Sequence, residues 1–331
     1  MYQTFIAIAL SLVCLIHAAV FTESGDHPEI ERERGSLAER IKEIAMNRFQ
    51  EGSNSFKVPT GDQQKAWKEI VKKILKNKIR KAQKIIERRS FPYRIVRFTD
   101  ETMDREYILL EEQPVRHGWG FYAFNLKSKK HLVIEVPHPI NDANTDHEGI
   151  AAFLETRAKA LLIAGAHRRT NSRLSPCTQA SPRSRYMESD VAHATQTMFH
   201  QTHEVLLDKY SDAVAVQLHG MRTRETCPNV FLSSGTKDVT TNSKKLLNCL
   251  ERNKVESGLF DGKTHTCILV ARTNVQGRHA NGKADKSCTE YAESSPEPGR
   301  FIHVEQEPEI RESPKSWRPV IEALKCAFPA E

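Results

Sequence analysis

The sequence predicts an α/β fold: a mixed, largely parallel sheet flanked by helices, with an N-terminal helical extension. Three observations predict it. From about residue 130 onward, short apolar runs alternate with longer helical patterns, as in strands joined by crossover helices. The run Leu132–Val136 (LVIEV) is mostly apolar and β-branched, which suits a strand covered on both faces. The composition, 39% hydrophobic and 27% charged over 331 residues, is that of a globular chain able to bury one large core or two ordinary ones. No internal repeat is visible.

Residues 1–19 read as a signal peptide. Phe5–Val20 is apolar apart from Ser11 and His17, is too short to span a bilayer comfortably, and leads to Ala18 and Ala19, where cleavage is expected. The expected location is therefore extracellular, with no membrane span left after cleavage. Cys14 departs with the signal. Cys177, Cys227, Cys249, Cys267, Cys288 and Cys326 remain, an even set that favours three disulfides in an exported chain without fixing their pairing. No CxxC pair points to a zinc ribbon, and no Asn-x-Ser/Thr sequon to N-glycosylation.

Residues 20–90 form a helical, basic region, either a pro-segment or a cap on the larger domain. Acidic residues dominate its start. A helix is expected over Ser36–Phe49, with Ser36 as cap and Glu39 at the capping-box position. Gly52–Thr60 looks like a linker. From Lys65 to Arg94, twelve Lys or Arg stand against Glu69 and Glu87, while Trp67, Ile70, Val71, Ile74, Ala82, Ile85 and Ile86 recur at helical spacing. One basic amphipathic helix, about Gln63–Arg89, is the reading. Its face suits an anionic membrane, an acidic polymer or nucleic acid, or is simply solvated. Of these, an acidic polymer is carried forward as a partner and nucleic acid is not expected.

Residues 91–331 hold the catalytic-type domain. Strands are expected at Tyr93–Phe98, Tyr107–Glu111, Gly118–Phe124, Leu132–Val136, Ala160–Ile163, Ala213–Leu218, Thr266–Val270 and Phe301–Val304. Helices are expected at Glu148–Lys159, from Ser189 to about Tyr210, at Asn242–Asn253 and at Pro319–Phe328. Gly277–Gly282 reads as a glycine-rich loop, and Thr170–Arg185 as a long surface loop.

Five of those strands end in polar groups: His138 with Asp142, His167 with Arg168, His219, Arg272 with Asn274, and Glu305. Ligands bind at the carboxyl ends of strands in open α/β sheets, so these groups are expected to converge. His138, Asp142 and His219 make a three-ligand set for catalytic Zn2+, with Asp146 as the alternative acid. Glu305 is the candidate general base, with Glu307 beside it. Arg168, Asn274 and Arg278 are candidates to bind substrate, an arginine fork being suited to a carboxylate. His167, His193, His303 and Asp190 are candidates to orient the ligands. A GxSxG elbow, a P-loop and a GxGxxG turn are absent, so serine-hydrolase and nucleotide-binding readings have no support.

Three segments then resemble the zinc carboxypeptidase-like superfamily, most closely its poly-γ-glutamate hydrolase branch. They are PHPINDANT at Pro137–Thr145, AVAVQLHG at Ala213–Gly220, and HVEQEPEIR with Glu305 and Arg311 six residues apart. The resemblance covers roughly Ile134–Arg311 in separated patches. It implies a phosphorylase/hydrolase-like fold, zinc on His138, Asp142 and His219, Glu305 as base, and hydrolysis of an amide bond beside a carboxylate, at a peptide C-terminus or in a γ-glutamyl chain. The chain departs from that pattern in its acidic ligand, an Asp where a Glu is usual, on a spacing one residue shorter. A second class of function, a degenerate secreted binding protein using its basic helix on acidic polymers, is distinguished from the enzyme by metal content.

Overall fold

A computed structural model describes residues 29–179, 181, 185–263 and 267–329. The signal segment and its cleavage site lie outside the described residues. The chain opens with strand β1 (Glu31–Gly35) and helix α1 (Leu37–Ala45), where Ser36 accepts from the Glu39 backbone N–H. The charged sequence ERERG carries no apolar alternation, so nothing in it marks β1 as a strand. It survives as an edge strand because only one side needs a partner.

The basic run is two helices rather than one: α2 (Gly61–Leu75) and α3 (Ile79–Arg88). Asn77 breaks it in a left-handed conformation, φ +54°, that ends the first helix. The expected apolar positions, from Trp67 to Ile86, are all buried. The segment between α1 and α2 is held by backbone bonds from Asn54 N–H to Thr170 O and from Lys57 N–H to His117 O.

Strands β2 (Tyr93–Asp100), β3 (Arg105–Glu112) and β4 (Phe121–Phe124) form an antiparallel meander. Then come β5 (Leu132–Val136), α4 (Thr145–Thr156), β6 (Ala160–Ile163), α5 (Met198–Lys209), β7 (Val214–Gly220) and β8 (Val230–Ser233). The chain continues with α6 (Thr241–Arg252), β9 (Ser257–Leu259), α7 (Val275–Ala280), β10 (Phe301–Gln306) and α8 (Pro314–Ala327). Three expectations change here. Helix α5 starts only at Met198, after turns that carry Asp190 and His193 to the sheet's end. Cys267–Val270 is not a strand. The expected glycine-rich loop is helix α7, because Gly277 lets it approach β10: a Cβ there would sit 2.8 Å from the Phe301 ring.

The sheet runs β1-β2-β3-β4-β6-β5-β7-β10-β8-β9. Its centre, β6-β5-β7-β10, is parallel, and antiparallel pairs flank it on both sides. Strand parity divides the core into two layers. Ile134, Val136, Val216, Leu218, Ile302 and Val304 pack against α1, α4, α6 and α8. Val133, Ala215 and Phe301 face the side of α2, α3, α5 and α7. Three disulfides, Cys177–Cys288, Cys227–Cys267 and Cys249–Cys326, close the carboxyl-terminal half. Among the described residues, no helix is long and apolar enough to cross a membrane.

Candidate metal centre and cleft

Towards the carboxyl ends of the parallel strands, the second face turns polar. Glu135 on β5, Gln217 and His219 on β7, and His303 and Glu305 on β10 occupy positions that apolar residues hold further back. Register brings them together: Glu135 pairs with Gln217, Gln217 with His303, and His219 with Glu305. His138 follows β5 directly. The Asp142 N–H donates to His138 O, so one turn of backbone brings the carboxylate back beneath the imidazole.

His138 Nδ1 lies 3.4 Å and His219 Nδ1 3.6 Å from the same oxygen, Asp142 Oδ2. These separations are long for good hydrogen bonds. They match donors sharing a cation, since ligands at about 2.0–2.1 Å on a tetrahedral centre stand roughly 3.4 Å apart. His138 Nδ1 is buried without a hydrogen-bond partner. His138, Asp142 and His219, all buried, thus form a group able to hold a metal ion.

The opposite ring nitrogens are committed. His138 Nε2 donates to Asp190 Oδ1 at 2.9 Å, and His219 Nε2 meets Gln217 Oε1 at 2.8 Å. The second contact can be oriented from the backbone. The Gly277 N–H donates to Asn274 Oδ1, which fixes that amide; Asn274 Nδ2 then donates to Gln217 Oε1. Gln217 Oε1 is therefore an acceptor, His219 Nε2 carries the proton, and its Nδ1 lone pair faces Asp142. Gln217 Nε2 in turn donates to Glu135 Oε2, whose other oxygen lies 2.6 Å from His203 Nδ1.

Electrostatics follow burial and pairing. Burial alone would lower His138, but Asp190 and Asp142 reverse this and push it up to about 9. Burial would raise Asp142, and the two histidines beside it hold it well below the usual carboxylate range. Burial lowers His219, and lowers His193 to about 4. Burial first, and the Asp142 charge second, push Glu305 up to about 8.

A cleft of about 620 Å³ opens over these groups, lined by His138, His219, Glu305, Arg168 and Asn274 of the expected set. The solved structures that the chain is similar to include the following three. A bacteriophage poly-gamma-glutamate hydrolase is 12% identical, with a TM-score of 0.37, over 60% of this chain and 84% of that one. An N-formylglutamate amidohydrolase from Ralstonia eutropha JMP134 is 11% identical, with a TM-score of 0.38, over 62% and 94%. A metallo-carboxypeptidase from Pseudomonas aeruginosa is 12% identical, with a TM-score of 0.33, over 68% and 60%. No family model and no curated protein matches the chain. The chemistry is therefore read from the cleft's own residues.

Of the other expected residues, Arg278 belongs elsewhere. It is 1% exposed, and its guanidinium donates to the carbonyls of Arg272, Ser287 and Cys288, so it braces the cleft wall from within. Asn274 caps α7 as well as lining the cleft. Asp146 pairs with buried Arg48 and accepts from the His147 N–H, which occupies it away from the histidines. Glu307 accepts from the Arg224 N–H. His167 accepts from the Arg169 N–H. Arg311 donates to Ala143 O and Gln306 O, tying the Asp142 loop to the end of β10; it lies against Gly220, where any side chain would displace it.

Sequence reasoning missed Gln217 and Glu135 behind the histidines, and Arg224, Tyr186 and Tyr291 in the cleft lining. A signal for part of this exists: Gln217 with His219, and His303 with Glu305, interrupt apolar strands at a period of two, which puts polar groups on one face.

Proposed function

We propose that the chain is a secreted zinc-dependent hydrolase cleaving an amide bond beside a carboxylate, at a peptide C-terminus or in a γ-glutamyl chain. The observation that carries this reading is the convergence of two oriented Nδ1 atoms on Asp142 Oδ2, with Glu305 beside His219 in the same cleft. His138, Asp142 and His219 would hold the ion, and Asp190 and Gln217 keep both lone pairs available. Zinc bound there would polarise the scissile carbonyl and lower the pKa of water.

Glu305 accepts the proton of the attacking water and returns it to the departing amine. Its raised pKa suits both halves of that exchange, and a neighbouring cation favours its ionised form when the base is needed. Arg168 receives the substrate carboxylate, with Arg224 and Arg272 also in the cleft lining. His193 is held by a bond from Nδ1 to Thr273 O and stacks on Tyr186 at 3.5 Å, and both rings line the cleft.

Metal analysis of the purified chain tests this. One zinc per chain is expected, lost in His138→Ala. Chelation is expected to abolish hydrolysis of γ-glutamyl and C-terminal peptide substrates, and added zinc to restore it. A folded chain without stoichiometric zinc would overturn the proposal.

A further inference from the structure

The chain's excess positive charge is confined to one place. Residues 61–89 carry eleven Lys or Arg and three acids, a net of +8, whereas the whole chain is +7. The remainder is therefore close to neutral, at −1. Within this pair of helices the charges are not spread evenly. Ala66, Trp67, Ile70, Val71, Ile74 and Leu75 bury one side of α2, and Lys65, Lys72 and Lys76 stand exposed at helical spacing on the other. On α3, Lys81, Lys84 and Arg88 form a second exposed row opposite Ile79, Ala82, Ile85 and Ile86. Carboxylates of the region lie by three of its lysines, Asp62 by Lys65, Glu69 by Lys73 and Glu204 by Lys68.

A second observation adjoins the first. Arg97 donates to Asn77 at the turn between the two helices and to Glu106. Glu106 lines a separate cleft of about 450 Å³ whose other walls include Arg105, Lys127, Lys129, Lys130 and Arg157. Arg105 forms part of this wall, beside the Tyr107 hydroxyl. Lys127, Lys129 and Arg157 are exposed.

We infer that the α2–α3 face and this adjoining cleft form an anchoring surface for a linear polyanion, a sulfated polysaccharide, separate from the metal centre. Rows of point charges along two helices suit a chain of closely spaced anions, and the cleft seats one such group against Arg105. Three disulfides place the chain where thiols oxidise, and sulfated chains are the abundant polyanions of such compartments. A membrane fits less well. Among the described residues the exposed large hydrophobic side chains are Met46 and Ile268, neither on this face, so nothing here enters a bilayer.

The test uses the full chain, with heparin as probe and titration at several salt concentrations. Binding that weakens steeply with salt is expected. Replacing Lys72, Lys76, Lys81 and Lys84 by Gln is expected to cut affinity at least tenfold and flatten the salt dependence. Lys127→Gln with Lys129→Gln is expected to cut it several-fold. A control with the same net charge, replacing Lys244, Lys254, Lys263 and Lys315 by Gln, is expected to bind within twofold of the parent. Equal losses in the control and the α2–α3 variant would overturn the proposal, as would unchanged binding in the latter. Preference for anionic phosphatidylserine vesicles over heparin would overturn the choice of polymer.

Discussion

At the scale of single residues, the site is organised by which nitrogen carries a proton. Asn274 does two jobs that a substitution can separate. Its Oδ1 caps α7 through the Gly277 N–H, and its Nδ2 orients Gln217 towards His219. Asn274→Asp keeps the capping acceptor and deletes the donor. It is expected to keep a melting temperature near the parent's yet bind zinc about 10–100-fold more weakly, as read by competition with a chromogenic chelator. Glu305→Gln removes the proposed proton acceptor without touching the three proposed ligands. Stoichiometric metal with kcat/KM lowered roughly 10²–10⁴-fold is expected; undiminished turnover in that variant would exclude Glu305 as the base.

At the scale of elements, α4 carries an acid into the core. Glu148 accepts from Gln306 Nε2 at 2.8 Å, while its Oε1 and Gln306 Oε1 have no partner. Burial pushes its pKa up to about 8. The folded protein thus keeps a proton that the unfolded chain releases near the usual carboxylate value, so stability falls as pH rises from about 4.5 to about 8. Glu148→Gln removes that dependence and offers a new N–H to Gln306. Chemical denaturation is expected to show near-equal stability at pH 5 and a gain of up to about 4 kcal/mol for the variant at pH 8.5.

The elements also explain how much the sequence reveals. β5 and β6 are legible to their ends because burial on both faces leaves a run apolar throughout in β6 and broken only by Glu135 in β5. β1 is not, since an edge strand of charged residues has no such pattern. The break at Asn77 is hidden because apolar spacing continues on both sides of it. Helix α7 is masked by Gly277, which local propensity counts against a helix and packing on Phe301 demands. His138, Asp142, His219 and Glu305 are visible because they follow or end strands. Gln217 and Glu135 are concealed because a buried polar residue within an apolar strand looks like noise until its neighbours in the sheet are known. Arg278 is misleading for a related reason: an arginine near a cleft has the same sequence signature whether it faces substrate or its own backbone.

At the scale of the molecule, the disulfides meet the cleft. Cys227–Cys267 joins the loop carrying Arg224 to the segment that starts the Ile268–Asn274 wall, and Cys177–Cys288 joins the approaches to Tyr186 and Tyr291. Replacing Cys227 and Cys267 by Ala is expected to cost about 2–4 kcal/mol in urea unfolding. Because the bridge holds a wall of the cleft and no metal ligand, KM for γ-glutamyl substrates is expected to rise more than kcat falls. A change confined to kcat would contradict that placement. The three bridges also overlap along the chain, spanning 177–288, 227–267 and 249–326 without a gap. A protease that cuts once anywhere between Cys177 and Cys326 therefore produces two polypeptides that stay covalently joined. Such nicking would pass unseen on a gel until the sample is reduced, and a processed two-chain form would keep its strands, its cleft and its metal donors in one piece.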